Sequence, residues 1–270
     1  MKIAFVGGGN MASALIGGLV RGGLPAASVW VVEVDPDRLA TLKRQYGVEG
    51  STVADAGLRG SDAIVFAVKP QQMREACSQC RPWLSEGFVL TIAAGIPAAA
   101  VAAWCGQAQV VRAMPNTPAL IGAGITGMSA GAGLDPSARD LAQHIMAASG
   151  RVVWFDDEAM LDAVTAISAS GPAYVFYFIE ALAAAAQSMG MSADQAHILS
   201  VTTFLGASRL AAESDEPVEV LRQRVTSKGG TTAAALDRMR ADGLHQKFID
   251  AVFAARDRSV ELARIYSANA

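Results

Sequence analysis

The sequence predicts an α/β protein in which a doubly wound parallel sheet is followed by an all-helical part. Short β-branched runs alternate with helical patterns through the first half of the chain, and only helical patterns follow after about residue 157. The composition agrees, because 53 alanines and 26 glycines among 270 residues favour close-packed helices and tight turns over an all-β sandwich.

The first part of the chain contains short runs rich in valine, isoleucine and phenylalanine that predict strands. These runs cover residues 2–6, 29–34, 63–68, 88–93, 109–113, 125–129 and 152–155. Helical patterns lie between them at residues 10–21, 35–46, 97–104 and 136–148, and Pro70 begins another. Asp35 followed by Pro36 is a helix start signal, with the acid as N-cap and proline at the first position. The alternating order predicts parallel strands.

The second part of the chain is predicted to be helical throughout. Its helical patterns cover residues 158–167, 172–189, 193–212, 218–225, 231–240 and 244–266. The change of period near residue 160 separates a predicted first domain, residues 1–160, from a second domain, residues 161–270. Residues 171–186 are apolar on nearly every helical face except at Glu180, so this helix must be buried all round. A partner subunit is therefore expected, the alternative being the central helix of a monomeric bundle.

Composition and charge exclude several classes of protein. A net charge of −3 gives no basic footprint for nucleic acid. Three cysteines cannot form a disulfide framework and three scattered histidines make no metal constellation, so no metal and a reducing, cytoplasmic location are expected. The apolar N-terminus ends in glycines, without a cleavage pattern, and indicates a strand. Residues 171–186 are shorter than the ~20 residues of a membrane span, so no membrane partner is expected.

The first predicted strand runs directly into a glycine-rich turn that is typical of dinucleotide binding. Its residues are Gly7, Gly8, Gly9, Asn10, Met11 and Ala12, the G-x-G-x-x-A variant of the fingerprint. Gly7 allows the tight turn, and Gly9 lets the backbone approach a pyrophosphate. The free N–H groups at the helix start, around Asn10 and Met11, then bind the phosphates. This predicts that the chain binds a dinucleotide cofactor. The alternative is a tight strand-to-helix turn that binds nothing.

Two acids close the second predicted strand, where a carboxylate can accept hydrogen bonds from ribose hydroxyls. Asp35 also suits an N-cap, whereas Glu33 has no such structural reason to be there. Negative charge at this place disfavours a 2′-phosphate, so we expect NADH to be accepted at least as well as NADPH. Arg38 lies one helical turn past Asp35, and it either neutralises a phosphate or pairs with Asp35.

Further candidate cofactor contacts follow other predicted strands, since ligands of open α/β sheets lie outside the carboxyl ends of strands. The small residues at positions 93–95 leave room for a flat nicotinamide ring. Asn116 is the polar group of a rigid loop, residues 114–118, that contains two prolines. Taken alone, each of these segments is also typical of a simple turn. The candidates are Val68, Lys69, Pro70, Ala93, Ala94, Gly95 and Asn116.

A second constellation precedes an alanine-rich helix in the helical part. Glycines, hydroxyls and free N–H groups at a helix start form a nest for an anion. The spacing is not that of a phosphate loop, so a carboxylate is favoured. The alternative is an ordinary helix start capped by serine or threonine. The candidate substrate-binding residues are Ser227, Gly229, Gly230, Thr231 and Thr232.

Taken together and in order, these motifs resemble pyrroline-5-carboxylate reductases over nearly the whole chain. The resemblance rests on residues 7–12, 67–70, 93–95, 114–118, 162–165, 170–174 and 229–232. It implies a Rossmann domain followed by a helical domain that interleaves with a second subunit, and in some members rings of dimers. It also implies reduction of the imine of 1-pyrroline-5-carboxylate to L-proline with NAD(P)H.

The resemblance assigns roles within the second constellation. By match to the family, the nest at residues 229–232 holds the substrate carboxylate, with help from Ser227, and Thr232 is the catalytic residue that contacts the ring nitrogen. Three positions depart from the family pattern: Lys228 stands where proline is usual, Ala169 where glycine is common, and Ala54 where asparagine is often found.

Other functions remain as alternatives. A β-hydroxyacid dehydrogenase would carry a catalytic lysine just past the domain break, but residues 158–200 contain no lysine. A general imine reductase and a non-catalytic nucleotide-binding regulator are the other candidates. Intact Thr231 and Thr232 argue against a protein without catalysis.

Overall fold

The computed structural model describes residues 1–84, 87–131 and 133–268, with residues 267 and 268 described by their backbone alone. The chain divides into two compact units. One comprises Met1–Ser170 with Ala255–Ala270, and the other comprises Gly171–Ala254. The domain boundary at residue 160 stays a prediction, and the last two residues of the predicted second domain lie outside the described ranges.

The first unit is built on one sheet. Its described strands are β1 (Ile3–Val6), β2 (Val29–Val32), β3 (Glu49–Ser51), β4 (Ala63–Phe66), β5 (Phe88–Thr91), β6 (Val110–Met114), β7 (Gly124–Ala130) and β8 (Gly150–Trp154). They are arranged in the order β3-β2-β1-β4-β5-β6-β7-β8. The direction of winding reverses between β1 and β4, which is where open α/β sheets bind their ligands.

Helices cover both faces of this sheet. They are α1 (Asn10–Arg21), α2 (Pro36–Tyr46), α3 (Met73–Cys80), α4 (Ala98–Cys105), α5 (Pro136–Ala147) and α6 (Met160–Val164), the last followed by a π-helical turn at Thr165–Ala169. Side chains alternate along β1, so Ile3 and Phe5 pack with α1, α2 and α5, whereas Ala4 and Val6 pack with α3 and α4. Burial on both faces explains the continuous apolar runs. The doubly wound fold is confirmed.

One strand pairing differs from the all-parallel sheet that the sequence predicts. β7 runs antiparallel to β6, while the other neighbouring strands are parallel to each other. The reason is the length of the connection, because only residues 115–123 lie between β6 and β7. A parallel return needs a crossover of a dozen or more residues. The chain therefore turns back on itself here.

The edge strand β3 was missing from the sequence prediction. It contains three residues and no run of β-branched or aromatic side chains. Gly50, in its centre, lies so close to β2 that an added Cβ would stand 2.0 Å from the carbonyl oxygen of Val31. A glycine inside a strand marks such a close backbone approach, but it gives no local signal for the strand itself.

The second unit consists of helices, as predicted. They are α7 (Gly171–Ser188), α8 (Ala193–Glu213), α9 (Val218–Arg224), α10 (Thr231–Ala241) and the first part of α11 (Leu244–Ala268). Tyr174 and Phe178 of α7 contact Phe248 of α11 edge to face, with ring centroids 5.7 and 5.6 Å apart. Ser192 and Gln195 form a capping box that starts α8.

Helix α7 exposes much of its apolar surface in the single chain. Phe176 and Tyr177 are 59% and 69% exposed, and Leu205 and Leu210 of α8 are likewise exposed. The helical stretch Met160–Ser188 is long and apolar enough to cross a membrane, by length and composition alone. Exposed apolar patches of this kind mark surfaces that another protein or a lipid phase covers.

Candidate functional site

A cavity of about 460 Å³ opens at the carboxyl ends of β1, β2 and β4, where the winding of the sheet reverses. It brings together six of the predicted cofactor residues, namely Gly7, Gly9, Glu33, Asp35, Val68 and Lys69. Gln72 and Glu75, which the sequence did not predict to be part of the site, also line the cavity. Ala54, one of the departures from the family pattern, lines it too. These six predicted residues therefore share one concave surface, and the other predicted cofactor residues lie outside its lining.

A larger cavity, of about 730 Å³, lies beside the amino ends of β1 and β5 and is lined by Met1 and Phe88. Volume alone favours this second cavity. However, ligands of parallel sheets bind at the carboxyl edge, where helix N-termini point their N–H groups. We therefore assign the candidate site to the smaller cavity.

The turn after β1 depends on Gly7. Its φ of +95° lies in the left-handed region, and an added Cβ would stand 2.7 Å from the carbonyl oxygen of Ala67. The N–H of Gly7 donates to the carbonyl of Val32 at 2.8 Å, which extends the sheet pairing into the turn. A side chain at this position would push the turn away from β4 and disturb both neighbours.

The start of α1 is open to an anion. Its N-cap is Gly9, and among the described residues no side chain caps the N-terminus. A Cβ added to Gly9 would meet no described atom within 4 Å, so the space above the first N–H groups is clear. Asn10 is exposed at the helix start, while Met11 is half-buried against the core. These features fit the pyrophosphate of a dinucleotide.

The carboxylate of Glu33 joins two loops of the site. Glu33 is only 6% exposed. One oxygen accepts a hydrogen bond from the N–H of Gly8 at 2.6 Å, and the other accepts one from the N–H of Asp35 at 2.9 Å. The side chain thus fastens the β1–α1 loop to the β2–α2 loop. Sequence reasoning gave Glu33 no structural role, because a contact to a backbone amide 25 residues away leaves no local signal.

Asp35 is the acid that faces outward. Its Oδ1 accepts hydrogen bonds from the N–H groups of Asp37 and Arg38, at 3.0 and 3.2 Å, so the predicted N-cap of α2 is confirmed. Its other oxygen has no donor among the described residues. Asp35 and Arg38 are both exposed and both line the cavity. They place one negative and one positive charge at its rim.

The remaining predicted cofactor residues lie on loops at the same edge of the sheet. Lys69 is exposed and precedes a short 3-10 turn at Pro70–Gln72. Ala93 is buried, and its N–H donates to Thr91 Oγ1 at 3.2 Å. Ala94 is half-buried, and Gly95 is buried with a φ of +72°. Among the described residues, the lining of the 460 Å³ cavity does not extend to Pro70 or to residues 93–95.

Three buried cysteines, Cys77, Cys80 and Cys105, belong to the core between α3 and α4, and Cys80 also lines the cavity. Burial, together with the neighbouring Cys105, raises the pKa of Cys80 to about 12. A hydrogen bond with Cys105, reinforced by burial, also raises the pKa of Cys77. All three thiols are free within the described chain, and a thiol with a raised pKa stays protonated and unreactive near neutral pH. Cys77 and Cys80 therefore act as small apolar residues in the core between α3 and α4.

The second constellation forms a turn and a helix start within the second unit. Gly229 has a φ of +71°, and the N–H of Gly230 donates to the carbonyl of Ser227 at 3.0 Å. Gly230 is the N-cap of α10, and no described side chain caps that end. Thr231 is exposed and Thr232 half-buried, and their hydroxyls have no partner among the described residues. The start of α10 therefore presents free N–H groups and two hydroxyls.

Comparison with known proteins assigns the chain to a family. Residues 158–262 match the family model described as pyrroline-5-carboxylate reductase dimerisation, and residues 2–95 match NADP oxidoreductase coenzyme F420-dependent. A pyrroline-5-carboxylate reductase of Pseudomonas aeruginosa is 42% identical over 265 residues, which cover 97% of each chain. The chain belongs to the pyrroline-5-carboxylate reductase family.

Solved structures of this family share the whole fold. The pyrroline-5-carboxylate reductase of Coxiella burnetii is 38% identical, covers 97% of this chain and 98% of its own, and superposes with a TM-score of 0.92. The Plasmodium falciparum pyrroline carboxylate reductase, solved with NADP bound, is 28% identical at the same coverage, with a TM-score of 0.85. The prediction of a Rossmann domain followed by a helical dimerisation domain is confirmed.

The three departures from the family pattern lie in different surroundings. Ala54 is half-buried and lines the cavity. Ala169 ends the π-helical turn that precedes α7. Lys228 is exposed in the turn before α10, where its ammonium group adds positive charge beside the nest. None of them changes Thr232 or the glycines of that turn.

Asn116 holds in place the loop at residues 114–118, which is one of the segments that resemble the family. Pro172 lacks an N–H, so the carbonyl of Ser168, four residues earlier, loses its helical donor. The side-chain amide of Asn116 donates to this carbonyl at 3.1 Å, and its Oδ1 accepts from the N–H of Ile125 at 3.0 Å. Asn116 thereby joins the β6–β7 connection to the π-helical turn. Its contact with the cofactor stays a prediction.

Replacing Asn116 tests this structural role. Asn116→Ala leaves the N–H of Ile125 and the carbonyl of Ser168, both partly buried, without their partner, which costs about 1–3 kcal/mol. We expect the melting temperature to fall by about 3–8 °C, given the size of the chain. Thr117→Ala, at the exposed neighbouring residue, is the matched control and should melt like the wild type. Equal melting temperatures for the two variants would contradict the role assigned to Asn116.

Proposed function

We propose that this chain reduces the imine of 1-pyrroline-5-carboxylate to L-proline, with NADH or NADPH as the hydride donor. The observation that carries the proposal is the presence, in one chain, of two sites. The first unit has an open helix start above a cavity at the switch point, and the second has an anion nest followed by a free threonine hydroxyl. Membership of the reductase family supports the same reaction.

The proposed cofactor site uses residues of the first unit. The N–H groups at the start of α1 bind the pyrophosphate, and Gly7 and Gly9 let the backbone approach it. When bound, NAD(P)H supplies a hydride to the imine carbon. Further contacts are proposed from the loops at the carboxyl edge, through Asn10, Met11, Val68, Lys69, Pro70, Ala93, Ala94, Gly95 and Asn116.

The proposed substrate site uses residues of the second unit. The N–H groups in the first turn of α10, which follows Gly229 and Gly230, and the hydroxyl of Thr231, with help from Ser227, bind the carboxylate. The hydroxyl of Thr232 donates a hydrogen bond to the imine nitrogen. A hydride that adds to the C=N carbon moves an electron pair onto this nitrogen, which takes up one proton, passed from water through the Thr232 hydroxyl, to give the secondary amine of proline. A donor at this place therefore stabilises the transition state. Catalysis is then positioning together with one hydrogen bond.

An assay of coenzyme oxidation tests the proposed reaction. Absorbance at roughly 340 nm, where reduced nicotinamide absorbs, should fall when pyrroline-5-carboxylate is added. A general imine reductase would oxidise the coenzyme equally well with acyclic imines that lack a carboxylate. A nucleotide-binding regulator would bind the coenzyme without oxidising it. Either result would contradict the proposed function.

The role of Thr232 can be isolated by two substitutions. Thr232→Ala removes the hydroxyl and should lower kcat/KM by about 10²-fold, the usual effect of losing an acid–base or hydrogen-bonding group. Thr232→Ser retains a hydroxyl and should recover most of the activity. Circular dichroism should show the same helix content in both variants. Wild-type kinetics in Thr232→Ala would remove this residue from the site.

The exposed apolar face of the helical unit is proposed to be covered by a second copy of the chain. Residues 158–262 match a dimerisation family, which supports a homodimer. Obligate interfaces bury more than ~2,000 Å², and the exposed side chains of α7 and α8 provide apolar area for one. Rings of dimers are proposed as the higher assembly. We further propose a cytoplasmic location, with no membrane or nucleic-acid partner.

Sedimentation velocity tests the assembly. We expect a dimer or a multiple of dimers at micromolar concentration, without added detergent. Phe176→Asp places a charge on the exposed face of α7 and should shift the distribution toward monomer. Leu120→Asp, at an exposed apolar residue of the first unit, is a control with the same change of charge. A wild-type monomer at this concentration would refute the proposal.

The charges at the rim of the cavity bear on the choice of coenzyme. Both oxygens of Glu33 are engaged by backbone N–H groups, so Asp35 is the acid that faces a 2′-phosphate. Two like unit charges ~4 Å apart repel by about 4 kcal/mol at an effective dielectric near 20, and solvent exposure reduces this. The positive charge of Arg38 opposes this repulsion of a 2′-phosphate. We propose that NADH is accepted at least as well as NADPH.

Values of kcat/KM for both coenzymes test this preference. Asp35→Ser should raise the NADPH:NADH ratio about tenfold, which corresponds to about 1.4 kcal/mol. Glu33→Gln should weaken both coenzymes to a similar extent, because it alters the loop and not the rim charge. A wild-type preference for NADPH that Asp35→Ser leaves unchanged and Arg38→Ala abolishes would show that Arg38 decides the choice.

A further inference from the structure

The last turns of α11 lie against two loops at the carboxyl edge of the sheet, all within the first unit. A Cβ added to Gly95 would stand 3.4 Å from the backbone nitrogen of Ala263 and 3.6 Å from Cδ2 of Tyr266. The hydroxyl of Tyr266 accepts a hydrogen bond from Nε2 of Gln71 at 3.0 Å. Tyr266 therefore contacts both the loop after β4 and the loop after β5.

The position of this helix is fixed by a second contact. The hydroxyl of Ser259 donates to Oδ1 of Asp162 at 2.7 Å, and Ser259 is buried. Ser259 and Tyr266 are seven residues apart, about two helical turns, so both point toward the same unit. The helix is thus anchored before it reaches the two loops, and the ring of Tyr266 packs against the core beside α3 and α4.

Gly95 lies in the loop that faces the end of α11. It is buried, and its φ of +72° is strained for any other residue. The sequence interpretation of residues 93–95 was room for a nicotinamide ring. A Cβ at Gly95 would stand at ordinary van der Waals distance from Ala263 and Tyr266, so the loop lies close beside α11, and the backbone conformation rather than a lack of space favours glycine.

We infer that Tyr266 is a positioning residue for coenzyme binding. It holds residues 68–71 and residues 93–95 in the conformation that binds NAD(P)H. The inference rests on the proposed function to the extent that these loops hold the coenzyme. Without the contacts of Tyr266 the two loops sample other conformations. The observed dissociation constant for NAD(P)H then rises in inverse proportion to the fraction of molecules whose loops are in the binding conformation.

This role predicts a particular pattern in the kinetic constants. A loop that is ordered only part of the time weakens coenzyme binding, but the enzyme that has bound coenzyme reacts as before. The KM for NADPH should therefore rise, while kcat and the KM for pyrroline-5-carboxylate change little. A residue that only stabilises the fold would lower the melting temperature and leave the coenzyme affinity of the folded enzyme unchanged.

Three variants distinguish the effect of packing the Tyr266 ring from the effect of its hydrogen bond. Tyr266→Phe keeps the ring beside Gly95 and removes the hydrogen bond to Gln71. Gln71→Ala removes the same hydrogen bond from the other side and leaves Tyr266 unchanged. Tyr266→Ala removes both contacts. Arg264→Ala changes an exposed residue of the same helical turn and is the matched control. Binding of NADPH is followed by its fluorescence, and the melting temperature of each variant is measured in parallel.

We expect the dissociation constant for NADPH to rise about threefold in Tyr266→Phe and Gln71→Ala, and about tenfold in Tyr266→Ala. Arg264→Ala should bind as the wild type does. Unchanged binding in Tyr266→Phe and Gln71→Ala would overturn the inference even if Tyr266→Ala fails to fold. A wild type that binds NADPH but does not reduce pyrroline-5-carboxylate would refute the proposed reaction, and the binding measurements would still decide the role of Tyr266.

Discussion

The parallel pairing of β1 with β2 and with β4 is the constraint on which the candidate coenzyme site depends. Val6 is in register with both Val32 and Phe66, so the three strands end at one level. Backbone hydrogen bonds continue this pairing by one residue, from Gly7 to Val32 and from Ala67 to Val6. Three loops therefore leave the sheet side by side, and the cavity lies between them. A side chain at Gly7 would break this arrangement, because its Cβ would stand 2.7 Å from the carbonyl oxygen of Ala67.

Glu33 fixes the β1–α1 and β2–α2 loops relative to each other. It does so with its carboxylate, the group that was expected to bind ribose. Its buried carboxylate accepts hydrogen bonds from two backbone N–H groups, one on each loop. The two acids after β2 thus have different tasks. Glu33 maintains the shape of the glycine turn, and Asp35, with Arg38, sets the charge at the rim. Asn116 holds another loop at this edge through a hydrogen bond to a backbone carbonyl, and Tyr266 holds the loop after β4 through the side chain of Gln71.

Local signals in the sequence were sufficient for most of the fold. The start of α2 was predicted to the residue because Asp35 and Pro36 are a cap and a first-turn proline, and the bounds of α1 follow from its apolar periodicity. Strand ends were less accurate, since Val34, Ala67 and Val68 continue the apolar pattern beyond the last residues of β2 and β4. The sequence could not show the partners of Glu33, Asn116 or Tyr266. These contacts join segments far apart in the chain, and they require one polar side chain each rather than a periodic pattern.

Hydride transfer to a carboxylated cyclic imine is the central claim about this protein. The proposed coenzyme site belongs to the first unit, and the proposed anion nest with its threonine hydroxyl belongs to the second. The most direct measurement uses NAD(P)H that carries deuterium at the transferable position of the nicotinamide. Mass spectrometry and NMR of the product should show L-proline with deuterium at the former imine carbon, which is the ring carbon bonded to nitrogen that does not carry the carboxylate. Proline without deuterium, or deuterium that is never transferred to pyrroline-5-carboxylate, would contradict the account.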